Sequence, residues 1–259
     1  MSALLEVTNL SQYIRVHDNW FKRHNVPILK SVNLTLKQGH TLSLVGESGS
    51  GKSTLARLIA GLNRPSEGEI SINGEVLHYG ENAKRCKLVR MIFQDPNTSL
   101  NPRNRIGRIL EVPLALNTYM SDRQRSERIA STLKLVGLLP EHAQYYPQML
   151  SNGQKQRVAL ARALILNPKI IIADESISSL DVSVRSQIIN LLLELQERFG
   201  LSYILVSNDL GMVSHMSDQV AVMHQGEIIE WTQTKTLFES PQHSVTQRLL
   251  NAYYTDFKK

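Results

Sequence analysis

Nine consecutive residues, Gly46-Glu47-Ser48-Gly49-Ser50-Gly51-Lys52-Ser53-Thr54, fit the pattern G-x-x-x-x-G-K-[ST]. Glycines at that spacing let the backbone curl, so that successive N–H groups point inward and cradle anionic phosphates. Lys52 adds a point charge for the β- and γ-phosphates, and the Ser53 hydroxyl suits Mg²⁺. The chemistry implied is binding of ATP with Mg²⁺. A second pair of candidates lies further on. The segment Ile170-Ile171-Ile172-Ala173-Asp174-Glu175 is an apolar run ending in two acids. Asp174 would hold Mg²⁺ through water, and Glu175 would polarise the water that attacks the γ-phosphate. A plain strand end can look the same, but beside a phosphate loop the catalytic reading is preferred.

These groups need a strand before the loop and a helix after it. Residues 40–45, His-Thr-Leu-Ser-Leu-Val, read as a buried strand, and 52–60 as a helix. Short strands are also expected at 4–7, 32–36, 69–72 and 89–93. From about 95 to 166 helical spacing replaces strand patterns, as in Ile129, Leu133 and Val136. The sheet resumes at 169–173, and an amphipathic helix at 182–199 leads to a strand at 202–206. A hairpin turning at His224-Gln225-Gly226 follows, then short helices near 234–238 and 243–252. Strands alternating with helices imply an α/β fold with a mixed, mainly parallel sheet. The expected organisation is one domain over 1–259, with a core at about 1–94 and 167–232. A helical subdomain is inserted at about 95–166, and a helical tail runs over about 233–259.

Composition sets limits. The chain has 259 residues, 42% hydrophobic and 20% charged, which suits a globular protein. No run of 18 apolar residues exists to span a bilayer, and the start lacks a secretory signal pattern. The single cysteine, Cys86, excludes an internal disulfide. The net charge of +6 is mildly basic. Basic clusters occur at Arg103, Arg105 and Arg108, and at Arg123, Arg125 and Arg128, without the interleaved aromatic residues that a nucleic-acid platform needs. His215, His224 and His243 lack metal-ligand spacing.

Narrower motifs carry a family resemblance. Leu150-Ser151-Asn152-Gly153-Gln154 resembles the Leu-Ser-Gly-Gly-Gln signature of ABC transporter ATPases. Gln94 matches that family's Q-loop, and Ser179-Leu180-Asp181 its D-loop. Ser99-Leu100-Asn101-Pro102-Arg103, and Pro241-Gln242-His243 with Thr246, resemble the oligopeptide/dipeptide/nickel importer branch. Tyr145-Tyr146-Pro147 and Gln154-Lys155-Gln156-Arg157 carry a closer match within it. Dipeptide-type members often carry a cysteine-containing extension, which this sequence lacks.

The resemblance implies two ATPase subunits sandwiching two ATP molecules head to tail. Ser151, Asn152, Gly153 and Gln154 of one subunit would meet the γ-phosphate held by the other. Gln94 would bind Mg²⁺ and relay the γ-phosphate state to the permeases. The implied partners are a second ATPase (a different chain), two membrane permeases and, indirectly, a periplasmic peptide-binding protein, with no nucleic acid. The implied location is the cytoplasmic face of the inner membrane, as a peripheral subunit. A soluble nucleic-acid ABC ATPase would need tandem domains or a coiled-coil insert.

Three positions depart from the family pattern. Asn208, in Ser207-Asn208-Asp209, replaces the histidine that contacts the γ-phosphate. Asn donates a hydrogen bond but carries no charge and shuttles no proton. The expectation is slow hydrolysis at this chain's own loop, against adequate function of Asn208. Asn152 replaces a glycine, and would tolerate a positive φ if the position required one. The adenine-stacking aromatic falls by register at Ile14; Tyr13, one residue earlier, is the candidate to stack on the base, against which stands its place on the other side of the strand.

Overall fold

A computed structural model describes residues 3–19, 22–93, 95, 99–175 and 181–257. In chain order the strands and α-helices are β1 (Leu5–Asn19), β2 (Lys22–Leu36), β3 (Thr41–Val45), α1 (Lys52–Ala60), β4 (Glu67–Ile72), β5 (Glu75–Val76), α2 (Asn82–Leu88) and β6 (Val89–Ile92). Then come α3 (Ile106–Asn117), α4 (Asp122–Leu135), α5 (Asn152–Leu164), β7 (Ile170–Asp174), α6 (Val182–Phe199) and β8 (Ser202–Val206). The chain closes with α7 (Leu210–Met216), β9 (Gln219–His224), β10 (Glu227–Gln233), α8 (Thr234–Glu239) and α9 (Ser244–Phe257). The chain divides into two compact units, Met1–Asn82 with Ser202–Lys259, and Ala83–Leu201.

In the first unit β3 lies between β8 and β9 and runs parallel to both, while β10 pairs antiparallel with β9. Every residue of β3 and β8 is buried, which is why their sequences read as near-continuous apolar runs. Val45, Leu210, Val213, Val220, Val222, Leu237 and Leu250 form one buried cluster, so the strand entering the phosphate loop is fixed from below. A separate antiparallel sheet has the order β2-β1-β4-β5. Its first two strands are 15 residues each, where the sequence suggested short strands at 4–7 and 32–36. Asn9 and Ser31 take positive φ (49° and 48°), and the register shifts between Val7 and Leu10. Such bulges break the alternation on which the sequence reading depends.

In the second unit β6 and β7 pair in parallel, and α2, which enters it at Ala83, and α3 to α6 are its α-helices among the described residues. Its boundaries enclose the expected helical segment together with β6, β7 and α6. Ser121 and Gln124 cap α4 reciprocally. Asp181 caps α6 by accepting from the Val184 N–H at 3.0 Å, and the helix ends at Gly200 in the left-handed conformation. The helix α2 has no counterpart in the sequence reading.

The tail motif at 241–246 has a structural explanation. The Glu230 carboxylate accepts from the N–H groups of Gln242 (2.9 Å) and His243 (3.0 Å), tying the entry to α9 onto β10. Burial alone would push this carboxyl up. The Gln242 N–H, the His243 N–H and the His243 charge work against it, and the group sits below its usual value of 4.5. A depressed folded-state value means stability that is full above the unfolded value and lost as pH falls through the folded one. Acidification below about 4.5 is therefore expected to loosen α9 first, seen as faster amide exchange there. Glu230→Gln places an amide N–H against one of those donors, and is expected to lower Tm by roughly 2–4 °C, the scale of about 1 kcal/mol.

Candidate active site

The phosphate loop follows β3 and runs into α1. Gly46 has φ 143°, and a Cβ there would stand 2.1 Å from the Met223 carbonyl oxygen, so only glycine fits. Gly51 has φ 105° and is crowded by Leu29 Cδ2 at 2.7 Å. Gly49 has φ 81° and faces open space. Two of the glycines thus let the loop pass close to its neighbours, and the third stands on its open side. The Gly226 N–H donates to the Ser50 carbonyl at 3.1 Å, pinning the loop to the β9–β10 turn.

Lys52 is 5% exposed, and its Nζ donates to the Gly46 and Glu47 carbonyls at 2.7 and 2.9 Å. The ammonium is held over the loop before any phosphate arrives. Gly51, the N-cap of α1, provides no side-chain cap, which suits a helix whose first amides receive an anion. The Ser50 hydroxyl is buried without a hydrogen-bond partner. An orphaned donor, an open glycine and a buried lysine in one loop fit a polyphosphate. Glu47 is held by His224 at 3.8 Å.

Asn208 shares a cleft of about 520 Å³ with Gly46, Glu47 and Ser48, bounded also by Asp209, Leu210, Leu249, Ala252 and Tyr253. The structure therefore brings Asn208 beside the start of the phosphate loop although 162 positions separate it from Gly46 in sequence. Asn208 is exposed, whereas Ser207 is buried and accepts at Oγ from the Asp209 N–H at 2.9 Å.

Asp174 and Glu175 end β7 in the second unit, with Asp174 buried. Glu175 has φ 49°, the left-handed region that long side chains rarely adopt. Sequence gave no sign of this. Ser151 caps α5, accepting from the Gln154 N–H (3.3 Å) while the Gln154 side-chain oxygen accepts from the Ser151 N–H (3.0 Å). Asn152 is the first helical residue and is absent from the described residues of positive φ, so the position does not call for glycine. Gly153 sits more tightly: a Cβ there would meet Val184 Cγ1 at 3.0 Å, so the valine would have to give by a few tenths of an ångström. Tyr13 is half-buried, its hydroxyl 3.4 Å from Glu67, while Ile14 is 52% exposed. Tyr13 does not line the cleft shared by the loop and Asn208. Gln94, Ser179 and Leu180 lie outside the described residues.

A family model described as ABC transporter matches residues 29–178, more than half of the chain. This chain belongs to the ABC transporter ATPases. It is 53% identical over 254 residues to the "Peptide transport system ATP-binding protein SapF" of Salmonella typhimurium, covering 98% of this chain and 95% of that protein. The "Putrescine export system ATP-binding protein SapF" of Escherichia coli K12 matches at the same identity and coverage. The "Dipeptide transport ATP-binding protein DppF" of Haemophilus influenzae is 45% identical over 257 residues, 97% of this chain and 78% of that protein. A solved structure titled as the post-hydrolysis dimer of the ATP-binding cassette MJ0796, bound to ADP and Pi, superposes with TM-score 0.78 at 31% identity, covering 89% of this chain and 98% of that one. The α/β ABC ATPase fold, ATP as the nucleotide and hydrolysis coupled to transport thereby follow for this ABC ATPase. Among the described residues no helix is long and apolar enough to cross a membrane.

Proposed function

We propose that this ABC ATPase energises peptide uptake, with polyamine movement as a variant of the cargo, from the cytoplasmic face of the inner membrane. It would work there with two permeases, a second ATPase of different sequence and a periplasmic peptide-binding protein. The carrying observation is the cleft in which Asn208 faces Gly46, Glu47 and Ser48. That cleft has phosphate chemistry on one side and, on the other, a neutral switch residue.

Each residue then has a task. Gly46 to Thr54 wrap the phosphates, with the Lys52 ammonium on the β/γ side. Ser53, Asp174 and Gln94 offer only oxygen ligands, the set that Mg²⁺ prefers. Mg²⁺ would neutralise charge that develops on the phosphate oxygens. Glu175 would orient and deprotonate the attacking water. Ser151 and the amides at Asn152 and Gly153 open α5, and so present a helix N-terminus to the γ-phosphate held by the partner ATPase. The exposed Ile14, in place of Tyr13, would offer an apolar face for the adenine.

A donor that is well placed in the transition state is worth about 10²–10³ in rate, and Asn208 supplies the hydrogen bond without the charge. This chain's own loop is therefore expected to bind ATP and turn it over slowly, which suits an asymmetric pair. In the reconstituted transporter with the partner site silenced, Asn208→His is expected to raise ATP turnover by about tenfold or more. An unchanged rate would show that Asn208 already does the histidine's work.

A further inference from the structure

The C-terminal helix α9 closes the cleft opposite the phosphate loop, through Leu249, Ala252 and Tyr253. It does not lie there loosely. Leu250 belongs to the buried cluster under β3, and Leu249 and Tyr253 pack against that cluster. The Tyr253 ring meets Phe238 edge-on, with centroids 6.3 Å apart. Its hydroxyl points toward the start of α7. A Cβ placed on Gly211 would stand 3.2 Å from Asp209 Oδ1 and 3.5 Å from the Tyr253 hydroxyl, so both groups converge on one small space that glycine keeps open. Asp209 is also the N-cap of α7, accepting at Oδ1 from the Met212 N–H at 3.0 Å. It immediately follows Asn208. The Tyr253 hydroxyl is held above its usual value by partial burial and by the Asp209 charge, so it stays a protonated donor at neutral pH.

We propose that Tyr253 is a positioning residue: from the C-terminal helix, acting on Asp209, it fixes the turn Ser207-Asn208-Asp209 and so aims Asn208 at the γ-phosphate side of the loop. The inference rests on the ATPase reading given above and adds to it a link from the tail of the chain to the switch. An asparagine has no ring to wedge itself in place, so its orientation depends on its neighbours. The Ser207 hydroxyl holds the turn from one side at the Asp209 N–H. The Tyr253 hydroxyl faces the same turn from the other side, across the space over Gly211.

The test uses the assembled transporter with the partner ATPase's own catalytic site silenced. Tyr253→Phe keeps the ring packing and removes only the hydroxyl. It is expected to lower kcat about fivefold, the scale of one hydrogen bond, with KM for ATP unchanged. In an Asn208→Ala background the same change is expected to do nothing further, because the residue it aims is gone. Tyr254→Phe, on the neighbouring exposed tyrosine, is expected to leave both constants unchanged. Three results would overturn the inference: an unchanged kcat in Tyr253→Phe, a fall that persists in the Asn208→Ala background, or a rise in KM without a fall in kcat. Glu175→Gln, run in parallel, separates the two levels. Full turnover there would sink the placing of this chain's hydrolytic site at Glu175, whereas loss of turnover there with no effect at Tyr253 would sink only the link to the tail.

Discussion

Glu175→Gln in this chain is expected to lower ATP turnover at its own site by about 10²–10⁴, the range associated with removing a general base. ATP binding should survive, because the Lys52 ammonium and the loop amides lie on other elements of the chain. The substitution is nearly isosteric, and it keeps a backbone at φ 49° that already tolerates a long side chain. Holding a non-glycine residue there costs about 1–3 kcal/mol, and such residues concentrate where geometry matters for mechanism. The carboxylate is thus carried on a turn that a relaxed strand end would not adopt. Glu175→Gly makes the complementary case: thermal stability should rise, by up to the same 1–3 kcal/mol, while turnover falls as far as in the glutamine variant. Single-turnover kinetics on the assembled pair, with binding of a fluorescent ATP analogue as the control, would read both. Turnover within threefold of the parent in Glu175→Gln would remove this residue from the chemistry.

The second large effect concerns the phosphate loop, where two glycines are expected to fail in different ways. Gly46→Ala puts a methyl group 2.1 Å from the Met223 carbonyl oxygen at φ 143°. Neither β3 nor β9 can retreat, because they are hydrogen-bonded neighbours and Val45 and Val222 are both buried in one cluster. The expected cost is about 3 kcal/mol or more, seen as a large drop in Tm and poor recovery of folded protein. Gly49→Ala meets nothing within 4 Å and bears only the left-handed penalty of about 1–2 kcal/mol. Its methyl group would stand on the open side of the loop, where a phosphate would lie, so the protein should fold and bind ATP at least about tenfold more weakly, a difference of 1.4 kcal/mol. If Gly49→Ala bound ATP normally, the open side of the loop at Gly49 would not be the phosphate seat. If Gly46→Ala melted like the parent, the loop would be looser than its contacts indicate.

The phosphate loop and the acid pair at Asp174 and Glu175 were legible from residue types and spacing. Each is local: a glycine run, and an apolar strand with polar ends. The helices at Lys52–Ala60 and Val182–Phe199 and the strand at Ser202–Val206 fall where periodicity places them, for the same reason. Asn208 was visible as a departure from a family pattern, but its place beside Gly46 was not, since that depends on β8 pairing with β3.

Tertiary structure alone decided the rest. Bulges at Asn9 and Ser31 concealed a long hairpin by breaking its alternation. That Asn152 needs no positive φ is a matter of its backbone, and the tight approach of Val184 to Gly153 depends on how α5 meets α6. The left-handed turn at Glu175 is set by its surroundings against its own preference. The contribution of the C-terminal helix to the switch depends on Tyr253 and Asp209 meeting over Gly211, contacts between residues with no shared motif. Sequence specifies groups through local chemistry, whereas distances between groups far apart in the chain are fixed only when the sheet and its helices pack.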